Sequence, residues 1–190
     1  MNQKFKTLLL TAGVLGASFT YASNATVSLT NETAQGDIDL QLGNINLNAG
    51  ITHDVDVNAS TTHVGINVQD SESGGGGPLE IGVGIRAILI DADINDDEDE
   101  LSAALGVGGW YRYTIQQANR LSLYASLYYS PEVLSFSNLD HTYTYETRLE
   151  YMTTQNARAF IRYGNTVVVY DDGERNEINR GFSVGANVGF

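Results

Sequence analysis

The sequence predicts an all-β protein: a transmembrane antiparallel up-and-down β-barrel of 8–10 strands that follows a cleaved signal peptide. Three observations support this fold class. Residues 180–190 alternate apolar with polar or glycine residues and end on an aromatic residue, Phe190. Period-two segments recur along most of the chain. No segment after the leader approaches the ~20 consecutive apolar residues that a transmembrane helix needs, so any membrane span must be made of strands.

The start of the chain has the composition of an export signal. Lys4 and Lys6 precede an apolar run at residues 8–19, and small residues follow at 23–25. We interpret residues 1–25 as a secretory signal peptide cleaved after Ala25, and residues 26–190 as one barrel domain. The apolar run is too short to span a bilayer as a permanent helix.

The last strand shows why lipid is the expected neighbour. A strand with one wholly apolar face needs a large apolar surface to cover it, and acyl chains provide one. The apolar face consists of Phe182, Val184, Ala186, Val188 and Phe190. This ending is similar to the assembly signal of Gram-negative outer-membrane barrels, and the residues at the matching positions are Ser183, Gly185, Val188 and Phe190.

Ten segments have the alternation of a strand. Counted from the carboxyl end, they are residues 180–190, 157–170, 139–152, 120–130, 101–115, 79–90, 57–69, 45–52, 36–42 and 26–31. We prefer ten strands, because ten uses every one of these segments and is an even number, which puts both chain ends in the periplasm. Eight is the competing count, since segment 26–31 is too short to span a membrane by itself.

The breaks between strands alternate in kind. Residues 116–119 and 153–156 predict tight periplasmic turns, whereas 91–100, 131–138 and 171–179 predict longer, acidic outer loops. The glycine-rich residues 71–78 are an exception, because a tight turn is expected on that side. The run 74–77 lacks the lysine of a phosphate loop and is interpreted as a flexible connector.

Charged residues of the strands fall on the parity opposite to the lipid face, so they are expected to point into the lumen. The eight residues of this predicted charge network are Glu80, Arg86, Arg112, Glu146, Arg148, Glu150, Arg158 and Arg162. One interpretation is a structural network of ion pairs that fills a small lumen. The other is a narrow selective channel whose lining sets ion preference.

The negative net charge indicates which classes of partner the protein can bind. Removing the leader takes away both lysines and leaves eight arginines against 23 acidic residues, which argues against a nucleic-acid partner. Residues 91–100, DADINDDEDE, open like a calcium loop, but Asp96 replaces the turn glycine and Ser102 the closing glutamate. We expect a solvated loop, with weak divalent-cation binding that bridges it to lipopolysaccharide phosphates as the alternative.

Aromatic residues on the lipid parity predict girdles at the headgroup boundary. They are Tyr111, Tyr113, Tyr143, Tyr145, Tyr151, Tyr163 and Phe190. Trp110, Tyr124 and Tyr128 are expected to face inward, where stacking against sugars is an alternative role.

Some small barrels are enzymes, so three histidines were weighed as bases: His53, His63 and His141. None stands in a known nucleophilic arrangement, and a histidine near a strand end is more often a polar interface residue. The sequence therefore predicts no catalytic residue, cofactor or metal site. An enzyme would require His141 to meet a serine of residues 131–138 at one rim.

Residues 121–134, LSLYASLYYSPEVL, resemble the YfaZ family of enterobacterial outer-membrane proteins. In that family a similar aromatic strand ends in a Tyr-Tyr-small-Pro-acidic loop entry, carried here by Tyr128, Tyr129, Ser130, Pro131 and Glu132. The run from Thr144, the segment from Phe160 to Tyr163 and the closing strand also fit the family's order. The resemblance implies a single outer-membrane barrel and supplies no ligand or catalytic residue.

These observations favour a non-enzymatic barrel of the bacterial outer membrane that acts as a small pore or an envelope-stabilising surface protein. Its expected partners are outer-membrane lipid, lipopolysaccharide and the barrel assembly machinery. One alternative is a lipid- or peptide-modifying barrel enzyme. The second is a soluble periplasmic β-sandwich, in which the apolar strand faces would bury against one another.

Overall fold

A computed structural model describes residues 23–70, 78–92 and 100–190. Most of the predicted signal peptide lies outside the described residues. The described chain forms β1 (Ser23–Leu29), β2 (Thr33–Leu42), β3 (Ile45–Asp54), β4 (Ala59–Asp70), β5 (Leu79–Ala92), β6 (Glu100–Thr114), β7 (Leu121–Ser130), β8 (Ser135–Phe136), β9 (Leu139–Thr154), β10 (Ala157–Tyr170) and β11 (Arg175–Gly189). Two single-turn 3₁₀ helices span Gln116–Ala118 and Glu132–Leu134. Among the described residues, no helix has the length and apolar character needed to cross a membrane.

Ten of these strands form a closed antiparallel barrel. Each pairs with the next of the ten along the chain, and β1 pairs with residues 184–189 of β11, so the ring closes. The two-residue β8 only adds to β6, opposite Ala103 and Ala104. The prediction of ten strands is therefore confirmed, and eight is wrong. The first hairpin belongs to the barrel because β1, although only seven residues long, is bonded on both sides.

The first and last strands meet at the seam between β1 and β11. The Ser23 amide donates to the Phe190 carbonyl at 3.1 Å, and the Phe190 amide donates to the Ser23 carbonyl at 2.9 Å. Asn24 and Ala25 continue this pairing opposite Gly189 and Val188. Cleavage after Ala25 stays a prediction, and it would shorten β1 by three paired residues.

The two faces of the wall differ as the alternation predicts. Large apolar side chains point outward on the barrel strands and remain exposed, as at Val83, which is 61 % exposed. Polar side chains point inward and are buried, as at Ser126 and Thr142. The exposed apolar faces do not cover one another, so the soluble β-sandwich is wrong. A closed barrel with an apolar exterior and a polar interior is a barrel of the bacterial outer membrane.

Outward aromatic rings form two bands. The outer band is a continuous row across β7, β9, β10 and β11, with centroid separations of 5.0–6.4 Å. It contains Tyr129, His141, Tyr143, Tyr145, Tyr163 and Phe182. Tyr111, Tyr113 and Tyr151 are exposed near the opposite strand ends, at the level of the chain termini. Amphipathic rings favour the two headgroup boundaries, which places the membrane between these bands.

The connections are more even in length than the sequence predicts. Residues 30–32 and 55–58 are short outer turns, and the predicted loop 171–179 is reduced to 171–174. Residues 175–178 belong to β11, because their backbone pairs with β10 from Thr166 to Val169. Residues 93–99, the centre of the acidic loop, and residues 71–77 lie outside the described residues.

The outer end of the barrel holds an apolar core that the sequence analysis did not anticipate. Opposite walls contribute to it, and every member is at most 5 % exposed. We call it the mouth core; its residues are Ala59, Ile88, Ile90, Ala92, Ala104, Leu139, Val168, Tyr170 and Ile178. Its signal in the sequence is a loss of alternation, since residues 87–90 and 167–169 are apolar on both faces.

The orientation of the wall predicts the effect of a charge on its outer face. Val83→Arg would place a guanidinium against acyl chains near the middle of β5, so we expect it to lower the free energy of unfolding by ~2–4 kcal/mol. Denaturant unfolding in phospholipid vesicles measures this loss. The control is Val133→Arg, because Val133 is 82 % exposed in an outer connection. An equal loss in both variants would contradict the lipid-facing assignment of Val83.

Candidate functional site: the barrel lumen

The interior of the barrel contains a polar cavity of about 350 Å³. All ten barrel strands contribute side chains to its lining. At the periplasmic end the lining reaches the strand termini, with Gln41, Glu80 and Arg158. At the other end it stops beneath the mouth core, where Ile88 is part of both. Among the described residues, the cavity lining therefore extends to the periplasmic strand ends, whereas apolar side chains follow it on the outer side.

Arg112 is the centre of the first group of ion pairs. Its Nε donates to Glu150 Oε2 and its Nη1 to Glu80 Oε2, both at 2.9 Å. The Glu150 side chain is 1 % exposed, so the arginine supplies the partner that a buried carboxylate needs. These contacts link β5, β6 and β9 across the periplasmic half of the lumen.

Glu146 is the centre of the second group. Its Oε1 accepts from Arg148 Nη2 at 2.7 Å, and its Oε2 accepts from Arg162 Nε at 2.6 Å. The Arg148 guanidinium also lies 4.8 Å from the ring centroids of Tyr124 and Phe160. The second group thus links β9 and β10 and, with Tyr124 on β7, fills the lumen with side chains of three strands.

Six of the eight predicted network residues meet in these two groups, and two do not. Arg86 and Arg158 line the cavity, yet neither has an ion-pair partner within the described part of the chain. The Arg86 guanidinium lies over the Tyr128 ring, 3.9 Å from its centroid. The Tyr128 hydroxyl in turn donates to Asn67 Oδ1 on β4 at 2.7 Å.

The sequence analysis missed the acidic residues of β2. Asp37 and Asp39 line the cavity; Asp37 Oδ2 accepts from Gln35 Nε2 at 2.9 Å, and its Oδ1 lies 3.8 Å from His63 Nε2. The alternation of residues 35–41 carries the signal, because polar side chains occupy every odd position. The lumenal arginines stand on β5, β6, β9 and β10, so the cavity has a cationic wall and an anionic one.

Arginine side chains lie against the faces of the inward aromatic rings. Trp110 and Tyr124 stack at 6.0 Å between centroids, and Arg112 lies 5.4 Å from the Tyr124 centroid. Both rings line the cavity as predicted from parity. Their faces contact guanidinium groups, which leaves less ring surface for the sugar stacking considered above.

The histidines do not assemble the site that the enzyme alternative would require. His141 Nδ1 contacts Asp140 Oδ2 at 2.7 Å, while Ser135 Oγ donates to the Pro131 carbonyl at 3.0 Å. No hydrogen bond joins His141 to a serine in the described residues. A different pair is close: His53 Nδ1 and Ser60 Oγ are 2.9 Å apart on the outward parity of β3 and β4.

The closing strand places its four predicted assembly residues on both faces. Ser183 is buried, and Gly185 lies against Phe160 inside the barrel. Val188 and Phe190 are exposed on the outside. Their role in assembly stays a prediction. In the described residues, no three histidine, cysteine or acidic side chains are arranged to hold a metal ion.

Comparison with solved structures finds outer-membrane proteins. The match with OmpT of Vibrio cholerae covers 88 % of this chain and 64 % of the OmpT chain, at 13 % identity and a TM-score of 0.41. The match with the channel DcaP of Acinetobacter baumannii covers 90 % of this chain and 60 % of the DcaP chain, at 11 % identity and a TM-score of 0.43. The match with OccK11 of Pseudomonas aeruginosa covers 92 % of this chain and 68 % of the OccK11 chain, at 8 % identity and a TM-score of 0.28. The chain thus spans less than two thirds of the first two proteins, and we base no argument on these scores.

The sequence matches no curated protein. It does match the family model described as YfaZ precursor, over residues 7–190. This match confirms the resemblance seen at Tyr128 to Glu132 and extends it to nearly the whole chain. The chain belongs to the YfaZ family.

Proposed function

We propose that the protein is a non-enzymatic barrel that stabilises the outer membrane and is closed to solutes from outside. The mouth core is the observation that carries this proposal. Ile90 on β5 and Val168 on β10 come from opposite walls, and both are fully buried. Because apolar groups that touch leave no room for water, an ion would meet an unhydrated barrier at the outer mouth.

The interior ion pairs support a structural role. Arg112 on β6 joins the neighbouring β5 and reaches past β7 to β9, and Glu146 joins β9 to the neighbouring β10. Charged groups buried together cost much less than isolated ones, because each supplies the hydrogen-bond partner that water would otherwise provide. Such a network ties together the contiguous strands of one wall and fits a structural role in the barrel.

A narrow channel is the second candidate function. It is favoured by the polar cavity, whose lining continues to the periplasmic strand ends. A channel would require the walls of the mouth core to separate and admit water. The two candidates therefore differ in one measurable property, the conductance of the resting protein.

The proposed absence of enzyme activity rests on the surroundings of the closest serine and histidine. Ser60 pairs across the sheet with His53 on one side and with Asp91 on the other. In a hydrolase the acid must contact the histidine, where it orients the imidazole and stabilises its positive charge. Here the acidic residue neighbours the serine, so the order of the three groups is wrong for general-base catalysis.

The partners of the barrel are also proposals. The apolar exterior with its aromatic bands suits lipid and lipopolysaccharide. We propose that the assembly machinery recognises the closing strand through Ser183, Gly185, Val188 and Phe190. Divalent cations are proposed to bridge the acidic residues 91–100 to lipopolysaccharide phosphates.

Planar-bilayer recording tests the closed mouth. We expect no single-channel steps from the native protein, and steps from the double variant Ile90→Ser with Val168→Ser, because smaller hydroxyl side chains admit water between the walls. Val57→Ser, in an exposed outer turn, is the control and should remain silent. Steady conductance of the native protein would contradict a closed barrel and favour the channel.

The interior network predicts that replacing Arg112 lowers the free energy of unfolding much more than replacing Arg175 does. Arg112→Met leaves Glu150 buried without a partner, so we expect a loss of ~3–5 kcal/mol in the free energy of unfolding. Arg175→Met removes an exposed pair with Glu177 and should cost only ~0–1 kcal/mol. Denaturant unfolding in vesicles measures both. A small loss in the Arg112 variant would show that the network does not hold the barrel.

Labelling tests the absence of a nucleophilic serine. A fluorophosphonate probe reacts with serines that a neighbouring base activates. We expect no labelling of the folded native protein in outer-membrane preparations, and a purified serine hydrolase serves as the positive control. Labelling that disappears in Ser60→Ala would establish an activated serine and overturn the proposal.

A further inference from the structure

Four residues in one cross-strand row of the lumen belong to neither group of ion pairs. Asp39 on β2 pairs with Asn48 on β3, Asn48 with Gly65 on β4, and Gly65 with Arg86 on β5. Asp39, Asn48 and Arg86 all line the cavity. The row therefore carries an anion at one end, an amide in the middle and a cation at the other end.

The amide of Asn48 has no partner at either of its polar atoms. Asn48 is 6 % exposed, and neither Oδ1 nor Nδ2 makes a hydrogen bond within the described part of the chain. A buried amide that leaves both its donor and its acceptor unused is costly, since buried polar groups normally find partners. A group that offers one acceptor and one donor side by side would satisfy it. The peptide bond is such a group.

Gly65 provides the space in which this amide lies. A Cβ atom at position 65 would stand 2.7 Å from Asn48 Oδ1 and 3.1 Å from the Ile85 carbonyl oxygen. Any other residue would therefore collide with the amide or displace it. The glycine lets the Asn48 side chain lie over β4, between Asp39 and Arg86.

The two ends of the row carry charges that no ion pair within the described chain neutralises. The lumenal glutamates Glu80, Glu146 and Glu150 are bound by Arg112, Arg148 and Arg162. Asp39 and Arg86 take no part in these pairs, although both face the same cavity. A ligand that carries both signs of charge would supply both missing partners without changing the net charge of the lumen.

We propose that the lumen is a binding pocket for a dipeptide, which lies along this row with its ammonium group at Asp39, its peptide bond at Asn48 and its carboxylate at Arg86. The row spans three strand spacings, or roughly 14 Å between backbones. An extended dipeptide is about 7 Å long, and the Asp39 and Arg86 side chains take up the remaining length. The ligand enters from the periplasmic end, because the mouth core closes the other.

Calorimetric titration of the full chain in detergent micelles with glycylglycine tests the pocket. We expect saturable binding of glycylglycine and binding at least about tenfold weaker for three matched probes, because each lacks one charged or buried hydrogen-bonding group. 5-Aminopentanoate has the same length without the peptide bond, acetylglycine lacks the ammonium group, and glycinamide lacks the carboxylate. If the titration gives no saturable heat of binding, the cavity holds water only, and the proposal is overturned. Equal binding of 5-aminopentanoate would overturn the peptide class.

Three variants locate the ligand in the row. Asp39→Asn, Asn48→Leu and Arg86→Gln are each expected to weaken glycylglycine binding by at least about tenfold. Asp140→Asn and Arg175→Gln make the same changes on the outer surface and should bind as the native protein does. Heat-dependent gel mobility verifies that each variant is folded. If one row variant does not fold, the other two test the assignment of the ligand to the row. Unchanged affinity in the folded row variants would overturn the assignment. Conductance tests the closed mouth separately, so either proposal can fail alone.

Discussion

Backbone hydrogen bonding at the seam between β1 and β11 is the constraint on which the structure depends. Inside a membrane no water can satisfy a free strand edge, so a sheet is stable there only if it closes. Closure requires the short β1 to pair on both sides, with β2 and with β11. Once the ring is closed, alternation sends every second side chain into lipid and every other one into the lumen.

The closed lumen contains two environments, because the inward side chains are polar at one depth and apolar at the other. Below the mouth core, buried charges are arranged in groups around Arg112 and Glu146, where each carboxylate accepts from an arginine. Above them, β5, β6, β10 and β11 bring apolar residues together from opposite walls. The first environment holds polar groups and a cavity, and the second excludes water. This division underlies both the proposed closed barrel and the proposed pocket that opens toward the periplasm.

Much of the fold was predictable because a membrane wall imposes period two on every strand. The parity of Arg112, Glu146 and Arg148 predicted that they face the lumen, and Tyr143 and Tyr163 followed the lipid parity as expected. The mouth core was missed because residues 87–90 are apolar on both faces, a pattern that alternation alone assigns to neither environment. The lumenal carboxylates of β2 were missed because inward charges were predicted only on the strands from residue 79 onward, whereas Asp37 and Asp39 lie in the earlier segment 36–42.

The sequence by itself determined the class of the protein, the segments that form most of its strands and the apolar side of each strand, but it left the strand number between eight and ten. Those properties are local, because they follow from the period of the chain and the cost of placing charge against lipid. Only the tertiary structure decided which charges meet, since Arg112 and Glu150 are brought together by register between strands far apart in sequence. It also decided that Asp39, Asn48 and Arg86 share one row, because register is set by the closure of the whole ring.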